Sequence, residues 1–380
     1  VSYIPNASLG KDISLKELAN DWGFNAVILA NGAWKDRPLP IDGIDEYIGK
    51  GLYYQNPFIH WYNHKHEKNY SGTQYKIPER SIVIGGGLAS LDVLKVIMFE
   101  NVQKALAKKG HDVDLFKLDK SIAKVLQDLN LSLEDLGVVP PMLYYRRRIK
   151  DMPLTPMATD TPEKLLKAQT VREKVFNNYQ TKYLFNFKTQ HVPVDKIVEN
   201  GRLAGLIFKE TEVIDGRVKI LEGTEKEVRA SVVISSIGSI PSPISGIPMD
   251  GSVYEVDQNN CCRLLNYENV FAIGNAVTGR GNIIESMKHG KKISEEIIEK
   301  YGFDKERMIE EGISVAEQNI QQQVENIKLE AAKKLSESDI NQIDERIQQL
   351  QSRSGYTQDF LSWVDQHLPE RLEDQLGIKH

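Results

Sequence analysis

The sequence has little of several features that mark common protein classes. Its 380 residues include only two cysteines, Cys261 and Cys262, which are adjacent and too few for a disulfide scaffold, a zinc site or an iron–sulfur cluster. The 48 basic and 53 acidic residues give a formal charge of −5, which argues against a nucleic-acid-binding arm or a polybasic membrane anchor. No apolar run approaches the roughly 18 residues of a membrane span. We therefore expect a soluble, cytoplasmic, globular protein without a metal site.

What the sequence does contain is an α/β pattern. Short apolar runs that end at a glycine or at Asn-Gly predict buried strands of a parallel sheet, and they lie at residues 24–30, 81–84, 231–237 and 270–273. Between residues 181 and 238 the pattern changes to shorter strands, where Asn200-Gly201 and Asp215-Gly216 predict hairpin turns. Near the start, Ser14 and Glu17 have the spacing of a capping box at a helix N-terminus.

A glycine motif follows the second of these runs. Gly85-x-Gly87-x-x-Ser90 lies between the strand and an amphipathic helix that is predicted to continue to about Ala107. In a dinucleotide-binding motif the first glycine permits the tight turn, and the second lets the pyrophosphate approach the backbone at the start of the helix. A small Ser90 in the third position still allows close helix packing. The alternative is an ordinary strand–helix turn, and the flanking strand and helix favour the nucleotide.

Two segments compete for the strand that pairs next to this motif. If Val113–Leu118 is that strand, Asp119 lies at its end and accepts a hydrogen bond from a ribose hydroxyl, which favours NAD. If Met142–Tyr145 is that strand, the run Arg146, Arg147 and Arg148 is placed to pair with a 2′-phosphate, which favours NADP. The residues themselves leave both alternatives open.

A second glycine segment follows the last apolar run. Gly274 and Asn275 end that strand, and Gly279-Arg280-Gly281-Asn282 leads into a helix. These glycines offer backbone amides to an anionic or electron-rich ligand, and Asn275 could hold a sugar hydroxyl. A loop whose glycines serve only the turn is the alternative.

After Phe303 the composition shifts to Glu, Gln, Lys and Ile and predicts a helical tail. Apolar residues from Ile309 to Leu335 recur at steps of three and four, which is typical of one helical face but not of a strict heptad. A second face, Ile340 to Leu350, predicts an antiparallel partner helix. We expect this hairpin to pack on its own domain. The two cysteines are interpreted as structural.

Taken in order, these motifs resemble the small subunit of NADPH-dependent glutamate synthase and its relatives. The similar segments are Gly10 to Leu18, Ala26 to Trp34, Ile84 to Gly87 with Asp92, Tyr145-Arg146-Arg147 with Met152-Pro153, and Val270 to Gly290. The last of them is also similar to the adrenodoxin-reductase-type ferredoxin–NADP reductases. Both belong to the pyridine nucleotide-disulfide oxidoreductase superfamily.

The resemblance implies an α/β fold with two dinucleotide-binding domains, in which a Rossmann-like NAD(P) domain is inserted into a Rossmann-like FAD domain and a helical extension follows. The implied divisions are residues 1–77 and 239–302 for the FAD-binding domain, 78–238 for the NAD(P)-binding domain with a helical insertion at about 101–141, and 303–380 for the helical tail. The implied cofactors are FAD and NADP. The implied reaction passes hydride from NADPH to FAD and electrons to an iron–sulfur protein or a partner subunit, and no catalytic side chain is required.

The resemblance also selects site residues and favours the arginine strand over Asp119. The implied cofactor-binding residues are Gly85, Gly87, Leu88, Ala89, Ser90, Arg146, Arg147, Gly32, Gly274, Asn275, Gly281, Asn282 and Ile283. Three departures accompany it. Asn31 and Asn275 replace the usual Thr and Asp, the stretch 101–141 is longer than usual, and the family's first glycine fingerprint is absent before Gly85. With Val1 first and no methionine before Met98, we expect a chain that starts partway through the flavin domain and holds FAD weakly or not at all.

Two other functions stay open. One is a non-catalytic subunit that keeps the fold for assembly, with the helical tail and the insertion binding a partner. The other is an NAD-dependent dehydrogenase with one nucleotide site, although the sequence has no catalytic His–acid or Tyr–Lys pattern.

Overall fold

The computed structural model describes residues 2–279, 283–301 and 335–377. The chain divides into two compact units. The first, called the bipartite unit, comprises Val1–Trp34 and Ile240–His380, and the second, called the central unit, comprises Lys35–Ser239. The compact central unit begins before residue 78, the expected start of the NAD(P)-binding domain, because β3 of the segment 35–77 joins its main sheet. The functional boundaries stay a prediction.

The regular elements, in chain order, are as follows. The strands are β1 (Val27–Leu29), β2 (Lys35–Asp36), β3 (Leu52–Tyr54), β4 (Ser81–Gly85), β5 (Met142–Tyr145), β6 (Asn186–Thr189), β7 (His191–Glu199), β8 (Arg202–Ile214), β9 (Arg217–Ile220), β10 (Lys226–Arg229), β11 (Val232–Ser236), β12 (Ser239–Ile240), β13 (Met249–Asp250), β14 (Val253–Tyr254), β15 (Val256–Asp257), β16 (Arg263–Leu264) and β17 (Val270–Ala272). The α-helices are α1 (Gln55–His64), α2 (Leu88–Lys108), α3 (Leu115–Lys120), α4 (Ile122–Asp128), α5 (Pro162–Tyr183), α6 (Asn275–Thr278), α7 (Ile283–Tyr301), α8 (Glu337–Arg353), α9 (Phe360–His367) and α10 (Leu372–Gln375).

A five-stranded parallel sheet forms the core of the central unit. Its order is β3-β11-β4-β5-β6, and every neighbouring pair is parallel. Buried apolar side chains on both faces of the sheet explain why β4 and β11 read as continuous apolar runs. From β4 the chain continues to β5, which is the neighbour of β4 on one side. The neighbour of β4 on its other side is β11, which comes much later in the chain. In open α/β sheets, ligands bind beyond the carboxyl ends of the strands at such a reversal, which here lies between β4 and β11.

The competition between the two candidate strands is decided here. Met142–Tyr145 is β5 and pairs with β4, Ile84 opposite Tyr144. The alternative strand was wrong, because Leu115–Lys120 is the helix α3, whose first turn is capped by the Asp114 carboxylate accepting from the Lys117 amide at 3.0 Å. Asp119 therefore does not end a strand. Its carboxylate pairs with the Lys95 ammonium at 2.7 Å.

A second sheet of the central unit is antiparallel, with the order β10-β8-β7 and β9 also paired to β8. The two predicted hairpins are confirmed, β7 to β8 and β8 to β9. The turn pairs Asn200-Gly201 and Asp215-Gly216 all have φ between 47° and 75°. That left-handed conformation is what a tight hairpin turn requires and what Asn, Asp and Gly tolerate.

The bipartite unit contains a sheet of order β1-β17-β16-β15. Val27 to Leu29 pair in parallel with Val270 to Ala272, so the predicted strands at 24–30 and 270–273 are confirmed and adjacent. The predicted capping box is also confirmed. The Glu17 amide donates to Ser14 Oγ at 3.0 Å, and the Ser14 amide donates to the Glu17 carboxylate at 3.3 Å.

The helical tail is described only in part. Residues 309–334, which carry most of its first predicted face, lie outside the described residues. The second predicted face is helical, in α8, and Leu350 is buried against Ile13 and Trp22 of the same unit. The Arg353 guanidinium adds an ion pair with Asp12 at 2.7 Å. None of the helices within the described ranges has both the length and the apolar character that crossing a membrane requires.

Candidate functional site

The glycine loop that leads from β4 into α2 consists of the last residue of β4, Gly85, and the next two residues, Gly86 and Gly87, and each glycine has a different neighbour. A Cβ on Gly85 would lie 2.4 Å from the Ser236 carbonyl oxygen, and one on Gly86 would lie 2.2 Å from the Tyr145 ring. Contacts that short are not tolerated, so the fold itself requires these two glycines. At Gly87 the nearest atom is Pro153 Cγ, 4.0 Å away. Gly87 therefore faces open space that a ligand can approach.

The helix that follows the loop begins without a side-chain cap. Its N-cap is Gly87, in extended conformation (φ −91°, ψ 174°), and no side chain bonds to the first amides. The amides of Leu88 and Ala89 have no intrahelical acceptor because they belong to the first turn. Ser90 is fully buried, and its hydroxyl donates to the Gly87 carbonyl at 2.6 Å. Ser90 thus shapes the loop, while the helix dipole and free amides favour an anion there.

The arginine run begins directly after β5, one strand away from the glycine loop. The Tyr145 ring packs against Gly86, and its hydroxyl donates to the Asp151 carbonyl at 3.2 Å. Arg146 is exposed, and its carbonyl accepts from the Thr211 hydroxyl at 2.8 Å. The strand pairing therefore brings the start of the run to the edge of the sheet that carries the glycines.

The third arginine of the run has a different environment. Arg148 donates twice to the Asp151 carboxylate, from Nε at 2.7 Å and from Nη2 at 3.1 Å. Burial acts to raise the pKa of Asp151, but the hydrogen bonds and charge of Arg148 outweigh burial and lower the pKa. This bidentate pair engages the guanidinium of Arg148. Arg148 therefore stabilises its own loop and is not a free cation.

The second glycine segment forms a separate turn in the bipartite unit. Gly274 has φ 69° and ψ −145°, a conformation that side-chain-bearing residues rarely adopt, and it is the N-cap of α6. The Asn275 side-chain oxygen is buried and, among the described residues, has no hydrogen-bond partner. A buried acceptor without a donor is costly, so a ligand hydroxyl would fit this position.

A histidine that the sequence analysis did not select stabilises this turn. The Gly274 amide donates to His289 Nδ1 at 3.0 Å, and His289 Nε2 lies 3.7 Å from Cys262 Sγ. Burial and the nearby Lys292 lower the pKa of His289, which favours the neutral imidazole. Since Nδ1 accepts, the proton is on Nε2 and faces the sulfur. Burial also raises the pKa of both thiols, in line with the structural role expected for the cysteines.

The other residues selected from the sequence lie in different surroundings. Asn31 Nδ2 donates to the Tyr254 hydroxyl at 2.8 Å, so this departure from the family pattern has a structural partner. Gly32 has φ 66°. Ile283 begins α7 and is 89% exposed. Gly281 and Asn282 lie outside the described residues.

Asp36 is a further residue that the sequence analysis missed. Its carboxylate lines a cavity of about 560 Å³ in the central unit together with Tyr53, Tyr54 and Tyr75. Burial raises the pKa of Asp36 to about 6, although its oxygens accept from the Asn56 amide at 3.1 and 3.3 Å. No local pattern distinguishes it from a surface aspartate. Within the described ranges no group of three His, Cys, Asp or Glu side chains could hold a metal ion.

The residues present fit the two cofactors suggested by the resemblance. In the central unit, Gly87 leaves open space beside the free amides of the first turn of α2. In the bipartite unit, the buried side-chain oxygen of Asn275 has no hydrogen-bond donor among the described residues. Together with the parallel sheet of the central unit and the parallel pair β1–β17 of the bipartite unit, these features fit a fold with two dinucleotide-binding domains.

Comparison with known proteins agrees with this class. A comparison with protein-family models finds no match. Among curated proteins, the chain is 26% identical over 316 residues to NADPH-ferredoxin reductase FprA of Mycobacterium leprae, covering 75% of this chain and 65% of that protein. It is 24% identical over 309 residues to the glutamate synthase [NADPH] small chain of Bacillus subtilis, covering 78% and 54%. It is also 24% identical over 271 residues to the probable mitochondrial NADPH:adrenodoxin oxidoreductase of Schizosaccharomyces pombe, covering 64% and 55%. The chain thus spans less than two thirds of each relative.

A solved structure supports the fold. FprA of Mycobacterium tuberculosis, in complex with NADPH, superposes with a TM-score of 0.60 at 19% identity over 92% of this chain and 74% of the other. The resemblance to the glutamate synthase small subunit and to adrenodoxin-reductase-type enzymes is therefore confirmed, and so is the fold class expected from the sequence.

Proposed function

We propose that the chain is the nucleotide-binding part of a cytoplasmic oxidoreductase that takes electrons from NADPH through FAD to an iron–sulfur protein or a partner subunit. The relatives bear names of this kind, NADPH-ferredoxin reductase and NADPH:adrenodoxin oxidoreductase. The observation that carries the proposal is the glycine loop, which lies at the point where the strand order reverses and is packed against the residue that precedes Arg146.

In this proposal the central unit binds NADPH. Gly87 gives the pyrophosphate access to the backbone, and the amides of Leu88 and Ala89 donate to it. Gly85 and Ser90 shape the turn, because a Cβ on Gly85 would lie 2.7 Å from Ser90 Cβ and 2.4 Å from the Ser236 carbonyl oxygen. Arg146 and Arg147 supply positive charge for the 2′-phosphate that distinguishes NADPH from NADH.

The bipartite unit binds the flavin in this proposal. Asn275 offers its unpartnered oxygen to a hydroxyl of the cofactor, and Gly274 sets the turn that presents it. Gly32 and Ile283 belong to the same proposed site, as do Gly281 and Asn282 outside the described residues. FAD would supply the redox chemistry, accepting hydride and releasing single electrons, whereas the protein binds, orients and shields the reactants.

The test is binding followed by anaerobic reduction. The purified chain is reconstituted with FAD, freed of excess cofactor, and titrated with NADPH or NADH while the flavin absorbance is recorded. We expect NADPH to bind more tightly than NADH and to bleach any flavin that is retained.

The outcomes separate the open functions. A chain that binds neither nucleotide contradicts the proposal and favours a non-catalytic assembly subunit. Tight binding of NADH in preference to NADPH, with no flavin retained, would instead favour a dehydrogenase with one nucleotide site.

A further inference from the structure

A second source of positive charge reaches the arginine segment from the helix α5. Arg172 lies on α5 between its start at Pro162 and its end at Tyr183. Its Nη1 donates to the Lys150 carbonyl at 3.0 Å, so the guanidinium lies against the loop that follows Arg146 and Arg147. Nothing in the local sequence of α5 indicates this contact.

Two guanidinium groups in this region have buried donors that are not used. Nε of Arg147 and Nε of Arg172 are both inaccessible, and neither has an acceptor in the part of the chain that the structure describes. The nearest carboxylate oxygen recorded for Arg147 is on Asp151, 4.0 Å from Nε. Buried polar groups without a partner are rare in folded proteins and need an explanation, and a bound anion that draws the guanidinium groups toward it would supply one.

The Tyr145 hydroxyl lies close to these cations, because it donates to the Asp151 carbonyl, next to the Lys150 carbonyl that accepts from Arg172. Burial raises the pKa of the Tyr145 hydroxyl, while the charges of Arg147, Arg146 and Arg172 all act to lower it. Asp151 acts in the opposite direction on the same hydroxyl, but Arg148 already holds its carboxylate in a bidentate pair. The surroundings of Tyr145 therefore have an excess of positive charge.

We propose that Arg172 acts with Arg146 and Arg147 to bind a phosphate monoester, the 2′-phosphate of the dinucleotide, and that Arg148 has no part in this binding. The inference rests on the proposed function and adds a specificity residue to it. Planar guanidinium groups with free N–H donors suit the oxygens of a phosphate dianion, and cations from two elements surround it better than one run can.

The experiment measures equilibrium binding and needs no flavin. The full chain is titrated calorimetrically with adenosine 2′,5′-bisphosphate and with adenosine 5′-monophosphate, which lacks the 2′-phosphate. We expect Arg172→Gln to weaken binding of the bisphosphate about 10- to 100-fold, the loss of one charge-assisted contact, and to change binding of the monophosphate less than about 2-fold. Lys174→Gln is the matched control, since it removes one positive charge from an exposed position of the same helix.

Each result decides between the explanations. Equal weakening of both nucleotides by Arg172→Gln, or none, overturns the inference, as does an equal loss in Lys174→Gln. If Arg172→Gln does not fold, Arg172→Lys keeps the charge but lacks Nε, and the inference requires a selective, partial loss of bisphosphate binding. If the wild-type chain binds neither nucleotide, the proposed function itself is wrong. If the wild type binds the bisphosphate selectively and substitution of Arg172 does not change that binding, only this inference is wrong.

Discussion

Gly87 is the position at which the requirements of stability and of nucleotide binding are opposed. Its backbone is extended, and a Cβ there would have only an ordinary contact, 4.0 Å from Pro153. Serine at a helix N-cap accepts a hydrogen bond from an amide of the first turn, and it also restricts the unfolded chain. We therefore expect Gly87→Ser to raise the free energy of unfolding by about 0.5–1 kcal/mol.

The same substitution should impair binding of NADPH. The new side chain fills the open space beside residue 87. Its hydroxyl accepts a hydrogen bond from an amide of the first helical turn that would otherwise donate to a phosphate. Losing one hydrogen bond to a charged group costs about 1.5–3 kcal/mol, which corresponds to roughly 10- to 100-fold in the dissociation constant. Urea unfolding measures the first effect, and calorimetric titration with NADPH measures the second.

Gly85→Ala is the contrasting variant. Its Cβ would meet a backbone oxygen 2.4 Å away, so we expect a loss of about 2–3 kcal/mol of stability. The reasoning would be refuted if Gly87→Ser bound NADPH as tightly as the wild type. A Gly87→Ser variant that is less stable than Gly85→Ala would show that the loop has a different conformation.

Three further predictions concern groups outside the loop. Because burial raises the pKa of Asp36 to about 6, ionisation of Asp36 destabilises the folded chain. Asp36→Asn should therefore raise the free energy of unfolding by about 1–2 kcal/mol at about pH 8 and leave it unchanged at about pH 4. Arg148→Gln should lower the free energy of unfolding by about 1–2 kcal/mol at neutral pH, because it removes the bidentate pair from the 8%-exposed Asp151 carboxylate, and this loss should shrink as acid protonates Asp151. His289→Leu should weaken FAD binding several-fold, whereas His289→Asn keeps an acceptor for the Gly274 amide and should retain most of it.

Denaturant unfolding across pH measures the first two effects, and fluorescence titration with FAD measures the third. An Asp36→Asn variant with the same gain at both pH values would contradict the role of ionisation. Selective loss of NADPH over NADH in Arg148→Gln would mean that this arginine binds the phosphate. Equal FAD affinity in the two His289 variants would show that the hydrogen bond to Gly274 is unimportant.

Much of the fold could be predicted from the sequence because its signals are local. The Asn200-Gly201 and Asp215-Gly216 turns form hairpins, since their left-handed conformation is a property of those residues. The capping box at Ser14 and the strand at residues 81–84 were found for the same reason. The strand predicted as one alternative at Val113–Leu118 failed, because a short apolar run does not distinguish a strand from a buried helix.

The sequence by itself determined the glycine loop and the arginine run beside β5, since apolar periodicity, glycine and charge are visible residue by residue. Only the tertiary structure decided which charges remain available. Asp151 holds Arg148, and α5 brings Arg172 to the same loop. His289 meets Gly274, which is 15 residues away along the chain. Hydrogen bonds and ion pairs form between groups that packing brings together, and separation in the sequence does not indicate which groups those are.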